Sequence, residues 1–234
     1  MRIILVIFMQ KNNPWLNKVK KTITPMKLFL VDLSIKVRTE QFRMFERMVK
    51  PIFQARVLDV GVTSNEAFRD SNMFEKLYKY PKNLTLATIE DLRKLRKMYP
   101  ACKVIQTTRG KKLPFKDKSF DIVVSWATLE HVGDYIEQEF FLNELLRVGE
   151  KIFVTTPYRG AIYEPHSGFF FLHWLPLNWF RKICELSNKK FWSTENNLNP
   201  LWLSDLSKMK LKCKVKLKIY RTFHLLPSHI IITA

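Results

Sequence analysis

The feature that most constrains the fold of this chain is the alternation of short apolar segments with segments of helical periodicity. Aliphatic and β-branched residues concentrate at 56–60, 84–88, 103–106, 121–125 and 151–155. Helices are predicted between these segments, at 71–80, 91–99 and 134–147. Gly149 is placed to end the last of these helices as a C′ glycine. Strands that alternate with helices form a parallel sheet with helices on both faces, so the pattern predicts an α/β fold.

The C-terminal part of the chain has a different pattern. Helices are predicted at 177–186 and in a short segment capped by Ser204. From 211 to 219, lysines at even positions alternate with mostly apolar residues, which is the period of a strand with one exposed face. Together with an apolar strand at 228–233, this predicts an antiparallel hairpin that closes the sheet. We interpret the lysines as protection of an edge strand against aggregation, with a binding stripe as the alternative.

A long helix is predicted near the N-terminus. Thr24 and Pro25 are suited to its cap and first turn, and Pro51 ends it. Its apolar face is expected to pack on the edge of the domain, and the alternative is a basic helix that rests on a membrane surface. Residues 3–9 are apolar but fall short of the roughly 20 residues that span a bilayer, and no secretory cleavage site follows them. We expect them to add an edge strand or to remain unordered.

The net charge and the cysteine pattern limit which partners and which cellular compartment fit this chain. Lys and Arg number 40 against 21 Asp and Glu, which gives a formal net charge of +19. Such a balance fits either an anionic partner or simple solubility. Three cysteines without a C-x-x-C pair indicate neither a disulfide framework nor a zinc knuckle. We therefore expect a cytoplasmic protein, with peripheral contact at the inner membrane face as a further possibility.

Polar residues follow two of the predicted strands directly. The segment 113–133, LPFKDKSFDIVVSWATLEHVG, contains a turn, a strand entered through Phe120-Asp121, and Glu130-His131 just past the strand end. Upstream, Asp59-Val60-Gly61 ends the first strand in the same way. Ligands of open α/β sheets bind at the C-terminal ends of the strands, so these segments predict a ligand site there.

These segments resemble the class I S-adenosylmethionine-dependent methyltransferases, in particular bacterial members of the type 11 branch. The resemblance extends over residues 57–156 and implies a Rossmann-like, doubly wound sheet of seven strands, mostly parallel with an antiparallel last strand. It implies an enzyme with S-adenosyl-L-methionine as cofactor. The domain would occupy 51–234 and carry a substrate-lid insertion at about 157–203. Residues 1–50 would form an N-terminal extension and the amphipathic helix.

The resemblance also implies the cofactor residues. Asp59 and Gly61 match the first cofactor loop, whereas Thr63 stands where the family has its second glycine. A Val-Thr-Ser run with the later stretch NMFEKLY at 72–78 is similar to a sub-branch of bacterial relatives, so Thr63 fits a subfamily pattern. Glu90 is expected to face the ribose, or alternatively only to start the next helix. The remaining implied cofactor positions are Arg109, Gly110 and Ser125.

The acceptor side follows the fourth and fifth strands. His131 is predicted to stand nearest the transferred methyl group and to act as a base on a hydroxyl acceptor, with a structural helix-capping role as the alternative. Acceptor-facing positions are predicted at Glu130, Tyr158, Glu164, His166 and His173. A zinc set of Glu164, His166 and His173 is conceivable, but we expect no metal because the family needs none.

Three functions remain open from the sequence. The first is methyl transfer to a small or lipid-linked acceptor, in cell-surface glycan biosynthesis. The second is a catalytically degenerate binding or scaffold protein, which the departures at Thr63 and Arg109 motivate. The third is a nucleic-acid methyltransferase, motivated by the charge. Nucleic acid is the less favoured partner because residues 125–128, SWAT, lack the D/N-P-P-aromatic signature of amino-group methylating enzymes.

Overall fold

The computed structural model describes residues 25–65 and 69–234. In these residues the strands are β1 (Val57–Val60), β2 (Leu84–Thr88), β3 (Lys103–Gln106), β4 (Phe120–Trp126), β5 (Gly149–Pro157), β6 (Tyr163–Glu164), β7 (Phe169–Phe170), β8 (Lys216–Thr222) and β9 (Leu226–Thr233). The helices are α1 (Pro25–Val49), α2 (Met73–Leu77), α3 (Leu92–Met98), α4 (Tyr135–Val148), α5 (Leu177–Leu186) and α6 (Leu203–Lys208). The segment 3–9 and the predicted cap at Thr24 lie outside the described residues.

Seven of the strands form one sheet in the order β3-β2-β1-β4-β5-β9-β8. The first five are parallel, β9 runs antiparallel to β5, and β8 runs antiparallel to β9. This confirms the predicted α/β, Rossmann-like fold with its antiparallel closing strand. Strand order reverses between β1 and β4, which pair directly, so the switch point where such sheets bind ligands lies at their C-terminal ends.

The central strands are apolar runs because both of their faces are covered. All residues of β1 and β2 are buried. One core layer lies between the sheet and α1 to α3, and the other lies between the sheet and α4 and α6. In the first layer Phe45 is fully buried, with its ring centroid 5.1 Å from that of Phe74 and 5.5 Å from that of Phe153. Burying one such side chain contributes roughly 1.5–3 kcal/mol to folding.

Helix α1 packs its apolar face on the sheet. Phe42, Phe45 and Val49 are at most 5% exposed. The hydroxyl of Tyr220, on β8, donates a hydrogen bond to Glu40 and ties the helix to the edge of the sheet. Between Phe42 and Val49, the face that the membrane alternative would bury in lipid is therefore occupied by the protein core, whereas Phe29 in the first half of the helix is exposed.

Helix α4 begins and ends where the sequence suggests, but the conformation of its C-terminal cap differs from the prediction. Asp134 and Glu137 form a reciprocal capping box, with hydrogen bonds of 2.8 and 3.1 Å. Gly149 ends the helix as predicted, but it is not a C′ glycine, because its φ of −104° is extended rather than left-handed and it also opens β5. Glycine is required there for another reason: a Cβ would stand 2.6 Å from Val123 Cγ2 on the neighbouring strand.

Three other boundaries need correction. Helix α2 is shorter than predicted and is followed by a 3-10 turn, Pro81–Asn83. Ser204 lies inside α6, and Asp205 accepts a hydrogen bond from the backbone of Trp202 at the helix start. The lysine alternation becomes a strand only from Lys216, which pairs with Thr233, the last residue of β9. Within the part of the chain that the structure describes, the residues before Lys216 have no strand opposite them, so their alternating pattern alone does not make a strand.

Between β5 and α6 the chain forms a connection on the same side of the sheet as the strand ends. It contains the two-stranded β6–β7 hairpin, α5 and two 3-10 turns, Leu172–Trp174 and Lys190–Ser193. A small core of its own centres on Phe180, Cys184 and Leu198. None of the helices in the described ranges combines the length and the apolar character that crossing a bilayer requires.

Candidate active site at the strand ends

Asp59 ends up buried near the C-terminal end of β1. Its residue is 4% exposed, and it lies opposite Leu86 of β2 and Val124 of β4. Burial raises the pKa of this carboxyl well above its usual range, and the charge of Glu75 adds to the effect. A strongly perturbed acid at a sheet switch point is typical of a functional position.

Gly61 makes the turn that follows β1, and the turn requires glycine. Its φ is +103°, and a Cβ at this position would stand 2.3 Å from Thr128 Oγ1 and Cγ2. Its N–H donates to the carbonyl of Ala87 at 2.9 Å. The loop after β1 therefore touches both the end of β2 and the segment after β4.

Glu90 binds the loop in which threonine replaces the second glycine. Thr63 Oγ1 donates to one carboxylate oxygen at 2.8 Å, and the backbone N–H of Ser64 donates to the other at 2.6 Å. Burial alone would raise the pKa of Glu90, but the hydrogen bonds from Ser64 and Thr63 outweigh it, so the pKa is lowered. The carboxylate is thus held charged beside the loop.

Asn72 is a further residue of this loop, and its role was not assigned from the sequence. Its amide nitrogen donates to the carbonyl of Thr63 at 2.8 Å, and its amide oxygen accepts from the N–H of Thr63 at 3.3 Å. Asn72 has a φ of +50°, a conformation that asparagine tolerates better than most residues. The signal in the sequence was Asn72 itself, the asparagine that opens the NMFEKLY stretch.

Arg109 and Gly110 lie in the connection after β3. The guanidinium of Arg109 donates to the carbonyls of Val132 and Asn196, each at 3.0 Å. It therefore joins this connection to the segment after β4 and to the chain beyond α5. Gly110 has a φ of +68°, which favours glycine. The adenine-facing role of both residues stays a prediction.

Ser125 lies fully buried on β4. Its hydroxyl donates to the carbonyl of Val60 at 2.8 Å, which joins β4 to the end of β1. This places the serine directly beside the strand end that carries Gly61. Its role in cofactor binding stays a prediction.

Glu130, His131 and His166 form a compact cluster past the end of β4. The Nε2 atoms of the two histidines are 3.1 Å apart, and Glu130 Oε1 lies 3.8 Å from His131 Nε2 and 3.9 Å from His166 Nε2. Glu130 and His131 belong to the 3-10 turn Leu129–His131, whereas His166 comes from the β6–β7 loop. Glu130 is fully buried. The cluster therefore joins two segments that are 35 residues apart.

Hydrogen bonds orient each member of the cluster. His131 Nδ1 lies 2.5 Å from the carbonyl oxygen of Asn197, and His166 Nδ1 lies 2.7 Å from Glu164 Oε1. Thr156 Oγ1 donates to Glu130 Oε2 at 2.9 Å. These contacts leave Oε1 and both Nε2 atoms directed at one another. We refer below to Glu130, His131 and His166 as the Glu-His-His cluster.

The histidines differ in their electrostatics. Burial lowers the pKa of His131. Burial also opposes the charged form of His166, but its hydrogen bond and charge interaction with Glu164 outweigh that effect and raise its pKa. For Glu164, the contacts with His166 and Ser167 outweigh burial and lower the pKa to about 2. The pair Glu164–His166 therefore behaves as a buried ion pair or a charge-assisted hydrogen bond.

Tyr158 and His173 make their contacts elsewhere. His173 is buried, and its Nε2 lies 2.9 Å from the carbonyl oxygen of Ala161. Tyr158 packs its ring against Trp202, with ring centroids 5.8 Å apart. The zinc set of Glu164, His166 and His173 considered from the sequence is not assembled. The acceptor-facing role of Tyr158 and His173 stays a prediction.

Several buried polar groups near the strand ends lack partners. Within the described residues, the amide of Gln41, the indole N–H of Trp126 and the hydroxyl of Thr155 have no hydrogen-bond partner. Trp126 and Thr155 lie opposite each other at the ends of β4 and β5, and the Trp126 ring packs against Phe42, next to Gln41 on α1. An unpaired buried polar group costs about 1–3 kcal/mol, so the groups of Trp126 and Thr155 favour a polar ligand at the ends of β4 and β5.

The comparisons with known proteins agree with this geometry. Residues 58–151, from β1 into β5, match the sequence model of a family described as a methyltransferase domain, type 11. A comparison with curated proteins gives no match.

Solved structures share the fold. An S-adenosylmethionine-dependent methyltransferase from Mesorhizobium loti is 13% identical over 80% of this chain and 94% of its own, with a TM-score of 0.51. The PH0226 protein from Pyrococcus horikoshii OT3 is 14% identical over 85% and 89%, with a TM-score of 0.51. A Rhodobacter sphaeroides protein described as a putative Zn-dependent alcohol dehydrogenase is 11% identical over 83% and 87%, with a TM-score of 0.55. At these identities the likeness shows the fold alone.

The sheet order, the glycine turn after β1 and the acid after β2, together with the family match, identify residues 58–151 as a class I S-adenosylmethionine-dependent methyltransferase domain. Within that class, the matched domain is of the type 11 branch. The cofactor of this enzyme is S-adenosyl-L-methionine.

The residues at the strand ends fit this cofactor. Glycine at position 61 lets the loop after β1 pack directly against Thr128 of the segment after β4. Glu90 accepts one hydrogen bond at each oxygen, and a carboxylate offers about four acceptor sites, so capacity remains for the ribose hydroxyls. Ile89, which is 60% exposed beside Glu90, offers an apolar surface for the adenine.

Proposed function

We propose that this enzyme transfers a methyl group to a hydroxyl of a small or lipid-linked acceptor in cell-surface glycan biosynthesis. The observation that carries the proposal is the position of the Glu-His-His cluster. Gly61, in the cofactor loop, touches Thr128, and Glu130 follows Thr128 by two residues. The polar cluster therefore begins two residues along the chain from the contact with the cofactor loop.

The cofactor supplies a methyl group that is already activated by the positive sulfur, so the chain mainly positions the acceptor. Glu90 and the Gly61 loop hold the cofactor. His131 lies on the acceptor side in this proposal, and its Nδ1 is engaged with a carbonyl oxygen, so the lone pair of the neutral ring is on Nε2. In this proposal, that lone pair receives the proton of the acceptor hydroxyl.

The connection at 157–203 serves as the substrate lid in this proposal. It supplies His166 and Glu164 to the cluster, and it presents large apolar side chains to solvent, among them Phe170, Trp179 and Phe191 at 57%, 65% and 63% exposure. Lys182 and Lys190 lie in the same segment. Exposed aromatic residues beside lysines are typical of surfaces that touch anionic lipid, which favours a lipid-linked acceptor.

From this surface we also propose the location. The protein would be cytoplasmic and would contact the inner membrane face peripherally through the lid. Such contact needs no membrane-spanning segment.

The experiment is a transfer assay with methyl-labelled S-adenosylmethionine and fractionated cell material. Label in the organic-phase, lipid-linked fraction is the expected result, with loss of labelling in His131→Ala and normal labelling in the control His224→Ala. His224 is exposed in the β8–β9 turn. Label confined to protein or nucleic acid would refute the proposed acceptor class.

A further inference from the structure

We propose that the Glu-His-His cluster binds one divalent transition-metal ion of the zinc type, with Glu130 Oε1, His131 Nε2 and His166 Nε2 as ligands. Each residue offers one ligand atom, and the three atoms converge on one point past the end of β4. Two imidazoles and one carboxylate are a donor set that zinc and related ions favour. The earlier expectation of a metal-free enzyme rested on the family, not on these positions.

The distances fit an ion. The three ligand atoms are separated by 3.1, 3.8 and 3.9 Å. The point equidistant from them lies about 2.1 Å from each, which is the length of a zinc–imidazole or zinc–carboxylate bond.

The ring nitrogens present lone pairs to that point. The partner of His131 Nδ1 is a carbonyl oxygen, and the partner of His166 Nδ1 is a carboxylate oxygen. Both partners only accept hydrogen bonds, so each Nδ1 carries a proton, and in a neutral ring the Nε2 atom presents its lone pair. Two such nitrogens 3.1 Å apart need a cation between them, which is either a proton on His166 or a metal ion that takes its place. A metal ion satisfies both at once.

Glu130 supplies the second independent observation. It is fully buried, and its Oε1 has no hydrogen-bond partner within the described residues, while its Oε2 accepts from Thr156. A buried carboxylate oxygen without a partner is costly. Glu130 and Glu164 together bring two carboxylates into this buried region, and a divalent cation would balance them.

The surroundings match those of a metal centre. Glu164 holds the far nitrogen of His166, which is the carboxylate–histidine–metal arrangement, and Asn197 and Thr156 hold the other two ligands. The side chains of His131 and His166 are 32% and 19% exposed, so the cluster is open to solvent on one side. Three protein ligands and an open position are typical of catalytic rather than structural zinc.

The role of the ion rests on the proposed function, although its binding does not. An ion at this point would coordinate the acceptor hydroxyl and lower its pKa. His131 would then act as a ligand rather than as the proton acceptor. If no metal binds, the role of His131 as a base stands.

The test is a calorimetric titration of the chelator-treated, dialysed full chain with Zn²⁺, repeated with Co²⁺ to record its absorption spectrum. We expect one ion per chain, with loss of binding in His166→Ala and Glu130→Gln. Glu164→Gln should weaken binding by about 10- to 100-fold, because it removes the group that orients His166. The control His224→Ala should bind as the wild type does.

Circular dichroism of His166→Ala and Glu130→Gln guards against misfolding. A variant that keeps the wild-type spectrum and loses the ion has lost a ligand and not the fold. No stoichiometric binding by wild type, or binding that His166→Ala and Glu130→Gln leave unchanged, would overturn the proposal. S-Adenosylmethionine binding is measured on the same samples to separate the two proposals. A wild-type protein that binds S-adenosylmethionine but does not bind Zn²⁺ or Co²⁺ would overturn only the proposed metal site.

Discussion

Replacing Gly61 by alanine tests whether the cofactor loop is built on close backbone contact. A Cβ would stand 2.3 Å from Thr128 Oγ1 and Cγ2, at a φ of +103°. Holding a non-glycine residue at such a φ costs about 1–2 kcal/mol. Relieving the contact by shifting Thr128 costs about 1–3 kcal/mol more. We expect Gly61→Ala to lower the free energy of unfolding by about 2–5 kcal/mol.

The assay is urea denaturation followed by circular dichroism, with cofactor titration of the folded variant. Gly168→Ala is the matched control: it also has a positive φ, of +71°, but its nearest neighbours would be 3.7 Å from the new Cβ. Gly168→Ala should lose only the about 1–2 kcal/mol of unfolding free energy that a non-glycine residue costs at a positive φ. Adding Thr128→Gly to Gly61→Ala should restore the unfolding free energy that the contact between the new Cβ and Thr128 costs. Equal losses for Gly61→Ala and Gly168→Ala would refute the reasoning.

Three further predictions concern the loop, the buried acid and acid stability. Asn72→Ala removes two hydrogen bonds to Thr63 and should cost about 1–2 kcal/mol of unfolding free energy and weaken cofactor binding; unchanged calorimetric affinity would contradict this. Asp59→Asn should raise the free energy of unfolding at pH 7, because burial raises the pKa of Asp59 and so penalises its charged form. The gain should vanish below the ordinary pKa of 3.8, where Asp59 is protonated in both the folded and the unfolded protein, and urea denaturation at several pH values checks this. Hydrogen bonds from Arg147 and Leu113 hold the pKa of Glu144 low against burial, so its contribution is complete above pH 4.5 and is lost as pH falls; Glu144→Gln should flatten that acid limb of the stability profile.

The sequence was sufficient for the elements that depend on local pattern. Strand β2 and helix α5 lie where their periodicity placed them, since burial on both faces makes β2 a continuous apolar run. Gly149 shows the limit of such reasoning. A glycine after a helix suggested a left-handed cap. Position 149 requires glycine instead because a Cβ there would contact Val123 on the neighbouring strand, and only the folded sheet reveals this contact.

The site was predicted in part for the same reason. Glu90 and Thr63 were each assigned to the cofactor side, but their direct hydrogen bond joins residues 27 positions apart. The Glu-His-His cluster depends on how the β6–β7 loop folds back over the end of β4. Its members were named individually, whereas their convergence is a tertiary property that spacing along the chain cannot encode.

The central claim is that the Gly61 loop and Glu90 hold S-adenosylmethionine, and calorimetric titration of the wild type and of Glu90→Gln tests it most directly. We expect micromolar affinity in the wild type and a loss of about 10- to 100-fold in the variant, because a charged acceptor of ribose hydroxyls becomes neutral. Glu150→Gln, an exposed substitution at the start of β5, should bind normally. No heat and no thermal shift at millimolar cofactor, or equal affinity of wild type and Glu90→Gln, would contradict the claim.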